Sequence, residues 1–420
     1  MTMNRYTLLG RSGLRVSPIA LGTMTFGTEW GWGTDEHAAQ ALFDLYLDAG
    51  GNFIDTADLY TEGTSEKWVG RFAAARGLRE RLVIATKYSY NAETGNPNTG
   101  GNHRKNLIRA LEGSLKRLGT DYIDLYYLHT WDRVTPVDEV MRAMDDAVRA
   151  GKIRYVGLSD TPAWFAGRAQ TLADWRGFEP VAAMQLEYSM IERNAENEFA
   201  DLAANLGMGL VPWSPLGMGV LSGKYRASGG NLADQAAGKV TGSGRLASLA
   251  SAPPPGFDKL NERNFHIVAE LEAVANEIGR PMAQVALNWL HQKRGVSSII
   301  VGATKTGQLQ ESLGSLDFSL EPELVARLDA VSEPARPFPY YMFADGHQAR
   351  IHGQVEVTDK PAGYDRPVRV PAPAHPRFLF LRMRDRWRMR TSQPVRARSL
   401  RQAALRCGWK KTHLSTVMRR

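Results

Sequence analysis

Cysteine is almost missing from this chain: Cys407 is the only one among 420 residues. That excludes an internal disulfide framework and any thiolate cluster for zinc or iron–sulfur. It suits a reducing compartment, and a cytoplasmic setting is expected. Histidine is also sparse, and none of the nine has ligand-like spacing, so no metal site is expected. No run of about 18 apolar residues occurs, and residues 1–13 hold no apolar core. Neither a membrane span nor a standard secretion signal is therefore expected. A G-x-G-x-x-G after a strand is missing too, which weighs against a doubly wound dinucleotide sheet without excluding a dinucleotide.

Acidic residues are scarce only at one end. Residues 336–420 hold 19 Lys and Arg against 5 Asp and Glu, while the first 335 hold 33 against 39. The net +8 of the whole chain thus belongs to its C-terminal part, and a nucleic-acid reading of the main body is unsupported. Beyond Pro371 come 14 basic residues with Asp385 as the sole acid, including Arg382, Arg384, Arg386, Arg388 and Arg390. This segment reads as a solvated, disordered tail. Contact with nucleic acid or anionic lipid is the lesser reading, and a segment from a shifted frame is a third.

What is present is a repeated alternation. Eight short apolar runs occupy 17–22, 52–56, 82–87, 122–129, 153–159, 181–185, 208–213 and 298–302. Continuous apolar runs of that length suit parallel strands buried on both faces. Helical patterns lie between them over 36–49, 105–118, 136–150, 194–206 and 265–278, several closed by glycine as at Gly151 and Gly207. Eight β–α units argue for a closed (β/α)₈ TIM barrel, class α/β, over residues 1–343. Residues 5–17 look like a hairpin under the barrel, and a long Gly- and Ser-rich connection from Gly217 to about Arg263 separates strands seven and eight. Residues 344–370 are expected as an extension on or near the barrel and 371–420 as the Arg-rich tail.

Barrel chemistry sits at the C-terminal ends of strands. There this chain has Asp55, Tyr60 shortly after it, Lys87 and His129. A free phenol is a poor acid at neutral pH, and a neighbouring ammonium brings it toward the working range. Lys87 is placed to do so with Asp55 holding it, while His129 orients a substrate oxygen. Each of these residues alone is more often a structural group than a catalyst. The joint pattern on successive strand ends is the signal.

Gly51–Tyr60 with Ser65, Glu66 and Gly70, then Ile84–Lys87 and Asp124–His129, resemble the signature segments of the aldo-keto reductase family. The resemblance spans about four-fifths of the chain, from Arg5 to Phe343. It implies hydride transfer between NADP(H) and an aldehyde or ketone, with Tyr60 as general acid, Asp55 and Lys87 tuning it, and His129 positioning the carbonyl. It also implies a cofactor set. Gly22 and Thr23 lie at the first strand end; Ser159, Asp160 and Gln185 face the nicotinamide carboxamide, with Asp160 standing where many members have Asn. Trp213, Ser214, Pro215 and Leu216 form the stacking segment, and Gly219 and Lys224 the pyrophosphate loop. Gly302, Thr304, Lys305, Gln308, Glu311 and Ser312 form the 2′-phosphate site. An aspartate can only accept from a carboxamide, so Gln185 is expected to donate to its oxygen. Trp30, Trp32, Tyr88, Tyr90 and Trp131 suggest an aromatic substrate pocket. The alternative is a dinucleotide-binding regulator resembling potassium-channel β subunits.

Overall fold

Alternation with a period of two organises the sheet. The computed structural model describes residues 3–227 and 258–353, together with residues 240, 241, 246, 256 and 355. A hairpin comes first, β1 (Thr7–Leu8) antiparallel to β2 (Arg15–Val16). Then follow β3 (Ile19–Gly22), β4 (Phe53–Asp55), β5 (Val83–Tyr88), β6 (Ile123–Leu128), β7 (Ile153–Ser159), β8 (Val181–Glu187) and β9 (Gly209–Trp213). After a short ladder of β10 (Arg226–Ala227) against β11 (Val240–Thr241) comes β12 (Ile299–Gly302). The sheet order is β12-β3-β4-β5-β6-β7-β8-β9, all parallel. Leu210 bridges Val296 in parallel, and the Ser297 N–H donates to the Leu210 carbonyl at 2.8 Å, which nearly closes the ring. All eight expected strands are present within a residue or two, as a (β/α)₈ barrel.

Two apolar layers follow from the alternation. Ala20, Phe53, Val83, Ala85, Leu125, Tyr127, Ala183 and Val211 fill the barrel interior, where Leu9 and Val16 of the hairpin join them from below. Their neighbours Leu21, Ile54, Ile84, Tyr126, Leu128, Met184 and Leu210 face outward into the layer shared with the helices. This interior is a packed core, as barrels of eight strands require.

The helices are α1 (Glu36–Asp48), α2 (Thr64–Ala75), α3 (Arg104–Leu118), α4 (Val137–Arg149), α5 (Ala163–Arg176) and α6 (Phe199–Leu206). They continue with α7 (Glu262–Glu277), α8 (Met282–His291), α9 (Thr306–Leu313), α10 (Pro322–Ser332) and α11 (Asp345–Ile351). Helix α3 shows the local logic. His103 Nδ1 caps the Asn106 N–H at 3.2 Å, Leu107, Ala110, Leu111 and Leu118 form the buried stripe, and Gly119 closes the helix at φ +61°. Two departures from the sequence reading stand out. The pattern over 194–206 divides into a 3₁₀ turn, Asn194–Glu196, and α6, and two helices rather than one precede β12. Most of the long connection, most of 354–370 and all of the Arg-rich 371–420 segment lie outside the described residues.

Candidate active site

Side-chain parity selects the residues at the barrel mouth. Phe53 points inward, so Asp55 does; Val83 and Ala85 point inward, so Lys87 does. The same rule continues Tyr127 to His129, Gly157 to Ser159, Ala183 to Gln185, and Val211 to Trp213. Every strand-end residue singled out from β4 to β9 therefore projects into one mouth.

Lys87 lies at the centre and is fully buried. Its Nζ donates to Asp55 Oδ1 at 2.6 Å, to the Thr56 carbonyl at 2.8 Å and to Tyr60 Oη at 3.3 Å, which occupies all three ammonium protons. The second Asp55 oxygen accepts from Gln185 Nε2 at 2.8 Å. Behind this, Thr23 donates its N–H and hydroxyl to the Asp55 carbonyl, both at 2.9 Å, and Ser65 ties Thr23 to Thr56. The loop after Tyr60 is equally constrained. Thr61 and Glu62 hold φ of +46° and +56°, and the Thr61 hydroxyl donates to the Phe26 carbonyl at 2.6 Å. Such left-handed conformations cost free energy and persist where the surroundings over-determine them.

The titration of these groups follows from their surroundings. Burial works against the Lys87 charge, but the Asp55 carboxylate and the Tyr60 phenol outweigh it, so the ammonium is held above its ordinary pKa. Burial pushes the Tyr60 phenol up, and Lys87 pulls the other way without reversing it. The expectation that Lys87 brings the phenol down toward neutrality is thus not met in the protein itself: Tyr60 keeps its proton. Burial, with Lys87 nearby, holds His129 well below its usual value and hence neutral. Its ring meets Tyr60 edge-on at 5.9 Å, and its Nδ1 is buried without a hydrogen-bond partner among the described residues.

On the β7–β9 side the Ser159 hydroxyl is buried and unpartnered among the described residues. Asp160 follows at φ +43°, and its Oδ1 accepts the Trp213 indole N–H at 3.1 Å. Asp160 is exposed at the rim as a residue, yet its carboxyl is enclosed enough that burial pushes its pKa up to about 6. Ser214 and Met218 also hold positive φ, +50° and +57°. At Gly219, φ is +94°, a conformation that favours glycine, and the flexible end of Lys224 lies against it, with Cε 2.3 Å from where a β-carbon would stand.

The family model for the Aldo/keto reductase family matches residues 18–333. The chain belongs to that family. It is 36% identical over 354 residues to an aryl-alcohol dehydrogenase [NADP(+)] of Phanerodontia chrysosporium, covering 81% of this chain and 88% of the relative. A probable voltage-gated potassium channel subunit beta of Oryza sativa subsp. japonica is 36% identical over 343 residues, 80% of this chain and 99% of the relative. Norsolorinic acid reductase of Aspergillus flavus is 32% identical over 339 residues, 79% of this chain and 80% of the relative. This chain's relatives thus include named oxidoreductases, one of them named with NADP(+), and a channel subunit.

Within this aldo/keto reductase, the residues expected from sequence divide into several groups. Asp55, Tyr60, Lys87 and Gln185 are joined by hydrogen bonds, and His129 abuts them. Gln185 gives one of its two amide hydrogens to Asp55, which leaves the other for the bond to the carboxamide oxygen expected of it. Gly22 pairs in register with both Asp55 and Gly302, while Thr23 serves the Asp55 carbonyl. Ser214 and Leu216 anchor the loop, their carbonyls accepting from Gly217 and Gly219 beside Pro215.

At α9, Gln308 Oε1 accepts from the Thr304 and Lys305 N–H groups, and Ser312 turns inward to donate to the Gln308 carbonyl. That leaves Lys305 and Glu311 exposed there. Of the aromatics, Trp30 stands 6.4 Å from Tyr60, Trp32 lies 5.5 Å from Trp30, and Tyr90 lies 5.0 Å from His129. Trp131 packs edge-on to Trp164, and Tyr88 instead stacks on Tyr126 in the outer layer. Sequence reading missed the Thr56 carbonyl, for which no residue-type signal exists. Among the described residues no group of three His, Cys, Asp or Glu could hold a metal, and no helix is long and apolar enough to cross a membrane.

Proposed function

We propose that this aldo/keto reductase is an NADP(H)-dependent carbonyl reductase for aldehydes or ketones, with Tyr60 as the general acid. The observation that carries the reading is the buried chain Asp55–Lys87–Tyr60, which holds a protonated phenol at the mouth of the barrel. The residues fit a nicotinamide nucleotide on the other side. Ser159 offers a buried unpaired hydroxyl, Asp160 an acceptor and Trp213 a ring at a strand end. The Gly219–Lys224 loop and exposed Lys305 suit the phosphates. The bound cofactor supplies the hydride; the protein supplies placement and the proton.

Tyr60 donates its proton to the carbonyl oxygen, and Lys87 stabilises the phenolate left behind because its ammonium already touches Tyr60 Oη. Asp55 keeps that ammonium charged and in place. Neutral His129, beside Tyr60, donates a hydrogen bond that orients the substrate oxygen. Trp30 and Tyr90 wall the approach to both groups, which suits aromatic or apolar carbonyls. A cytoplasmic location belongs to the same proposal.

The test is loss of NADPH absorbance with a panel of aromatic aldehydes, comparing wild type with Tyr60→Phe. Turnover in wild type with a loss of about 10²–10⁴ in the variant is expected. Equal rates in both would remove Tyr60 from the mechanism. The kinship with a potassium channel subunit beta favours a second reading, a nucleotide-binding regulator. Tight NADPH binding with no turnover across the panel would support it.

A further inference from the structure

We infer that Asp160 sets the oxidation balance of the bound cofactor: its carboxylate, fixed by Trp213 at the cleft's rim, favours the cationic oxidised nicotinamide over the neutral reduced one. The inference rests on the proposed reading of the β7–β9 side as the nicotinamide end.

Four observations carry it. The backbone of Asp160 is pinned on both sides, its N–H donating to the Gln185 carbonyl at 3.3 Å and its carbonyl accepting from the Trp131 N–H at 3.4 Å. The residue is held at φ +43°, a conformation that a side chain other than glycine adopts only at a cost. Its carboxyl is then aimed by the bond from Trp213 Nε1 to Oδ1, which places the charge next to the aromatic ring at the end of β9. Finally, no ion pair among the described residues involves Asp160. Lys87, the nearby cation, is bonded to Asp55 at 2.6 Å.

The groups that bear on this carboxyl come from every neighbouring element. Glu187 on β8 repels it, Lys87 on β5 attracts it, and the Tyr60 and Tyr90 phenols on the loops stay protonated. His129 after β6 is neutral. Among the described residues Asp160 is therefore a carboxylate without an ion-pair partner of its own, and a ring that carries a positive charge in only one oxidation state feels it in only that state. Favouring bound NADP⁺ over bound NADPH makes the bound NADPH a stronger hydride donor, which drives the carbonyl-reducing direction. A carboxylate close to a cation in a partly enclosed site changes affinity by about tenfold or more.

The experiment uses the full chain and reads binding rather than turnover. NADPH and NADP⁺ are each titrated by fluorescence into wild type and Asp160→Asn at about pH 8. Asparagine keeps an oxygen for the indole N–H and removes the charge; the amide N–H it adds meets the carboxamide that both nucleotides carry, so that contribution cancels in the ratio. The ratio Kd(NADP⁺)/Kd(NADPH) is expected to rise about tenfold in the variant, through weaker NADP⁺ binding. A ratio within about twofold of wild type overturns the inference.

A second measurement needs no variant. The wild-type ratio is followed from about pH 8 down to about pH 5, across the value of about 6 to which the Asp160 carboxyl is pushed. Protonation removes the charge, so NADP⁺ loses affinity relative to NADPH as pH falls. The 2′-phosphate also ionises in this range, with its second pKa at about 6, but both nucleotides carry it and it cancels in the ratio. A ratio that stays flat overturns the inference. Wild type that binds neither nucleotide overturns the NADP(H) reading itself, whereas binding of both with an unmoved ratio removes only the role of Asp160.

Discussion

On the β4–β5 side of the barrel mouth the polar groups complete one another. Both Asp55 oxygens, all three Lys87 protons and the Thr23, Thr56 and Ser65 hydroxyls have partners within the protein. On the β7–β9 side the Ser159 hydroxyl has none among the described residues, while strained backbone occurs on both sides, at Thr61 and Glu62 as at Asp160, Ser214 and Met218. The first side is preorganised for a proton transfer in which its own groups barely move. The second has the composition of a surface completed by a ligand. Chemistry and binding should therefore separate by side when residues are removed.

The largest effect is expected from Lys87→Met. It leaves Asp55 buried without its cation and Tyr60 without its ammonium, so kcat should fall by about 10²–10⁴ while the Kd for NADPH changes little. Ser159→Ala is the counterpart. It should weaken NADPH binding by about three- to tenfold and leave kcat at saturation nearly intact, since one hydrogen bond contributes about 1 kcal/mol. Stopped-flow turnover and fluorescence titration on both variants would check the pair. A Lys87 variant that loses mainly affinity, or a Ser159 variant that loses mainly kcat, would break the division.

A smaller effect separates the phosphate end from both. Lys305 is exposed at the start of α9, and Gln308 already occupies the Thr304 and Lys305 amides, so among the described residues the lysine side chain is the cation that α9 offers there. Lys305→Ala should weaken NADPH by about tenfold and NADH hardly at all, with the difference shrinking at high salt. Parallel titrations of the two nucleotides at low and high ionic strength measure it, and equal loss for both would place the 2′-phosphate elsewhere.

How much of this could be read from the residues follows from which forces set each feature. The eight strands were legible because burial on both faces leaves a continuous apolar run, and that signal is strong and local. Asp55, Lys87 and His129 were legible as polar residues ending such runs. The inward parity that unites them with Ser159, Gln185 and Trp213 was equally available by counting in twos from Phe53 or Val83. The bond from Gln185 to Asp55 was not, because it joins residues 130 positions apart, and nothing local says which of two acceptors a glutamine takes. Nor was the turning of Ser312 into its own helix, or of Tyr88 onto Tyr126, since both are choices of rotamer and packing. The direction of the Tyr60 shift also depended on packing: a nearby ammonium is visible in sequence, but the burial that outweighs it is not.

Asp58 is the exception on the well-paired side, and it gives the finest test of the comparison. It lies three residues beyond Asp55, and its Oδ1 is buried with no partner among the described residues. Burial, with Glu66 adding repulsion, pushes its pKa up to about 7, against the attraction of Arg117 and Arg109. A carboxyl raised in this way binds a proton in the folded protein between about pH 4 and 7, where the unfolded chain has released it. The folded state then binds more protons than the unfolded, so stability falls as pH rises through that window. Above about pH 7 the protein carries the cost of a buried, ionised carboxylate. Asp58→Asn removes that cost, and its stabilisation relative to wild type should grow by about 1–3 kcal/mol between pH 5 and pH 8. Urea unfolding of both proteins at the two pH values measures this directly. A gain independent of pH would mean that Asp58 finds a partner when it ionises, and the β4 side would then be fully paired.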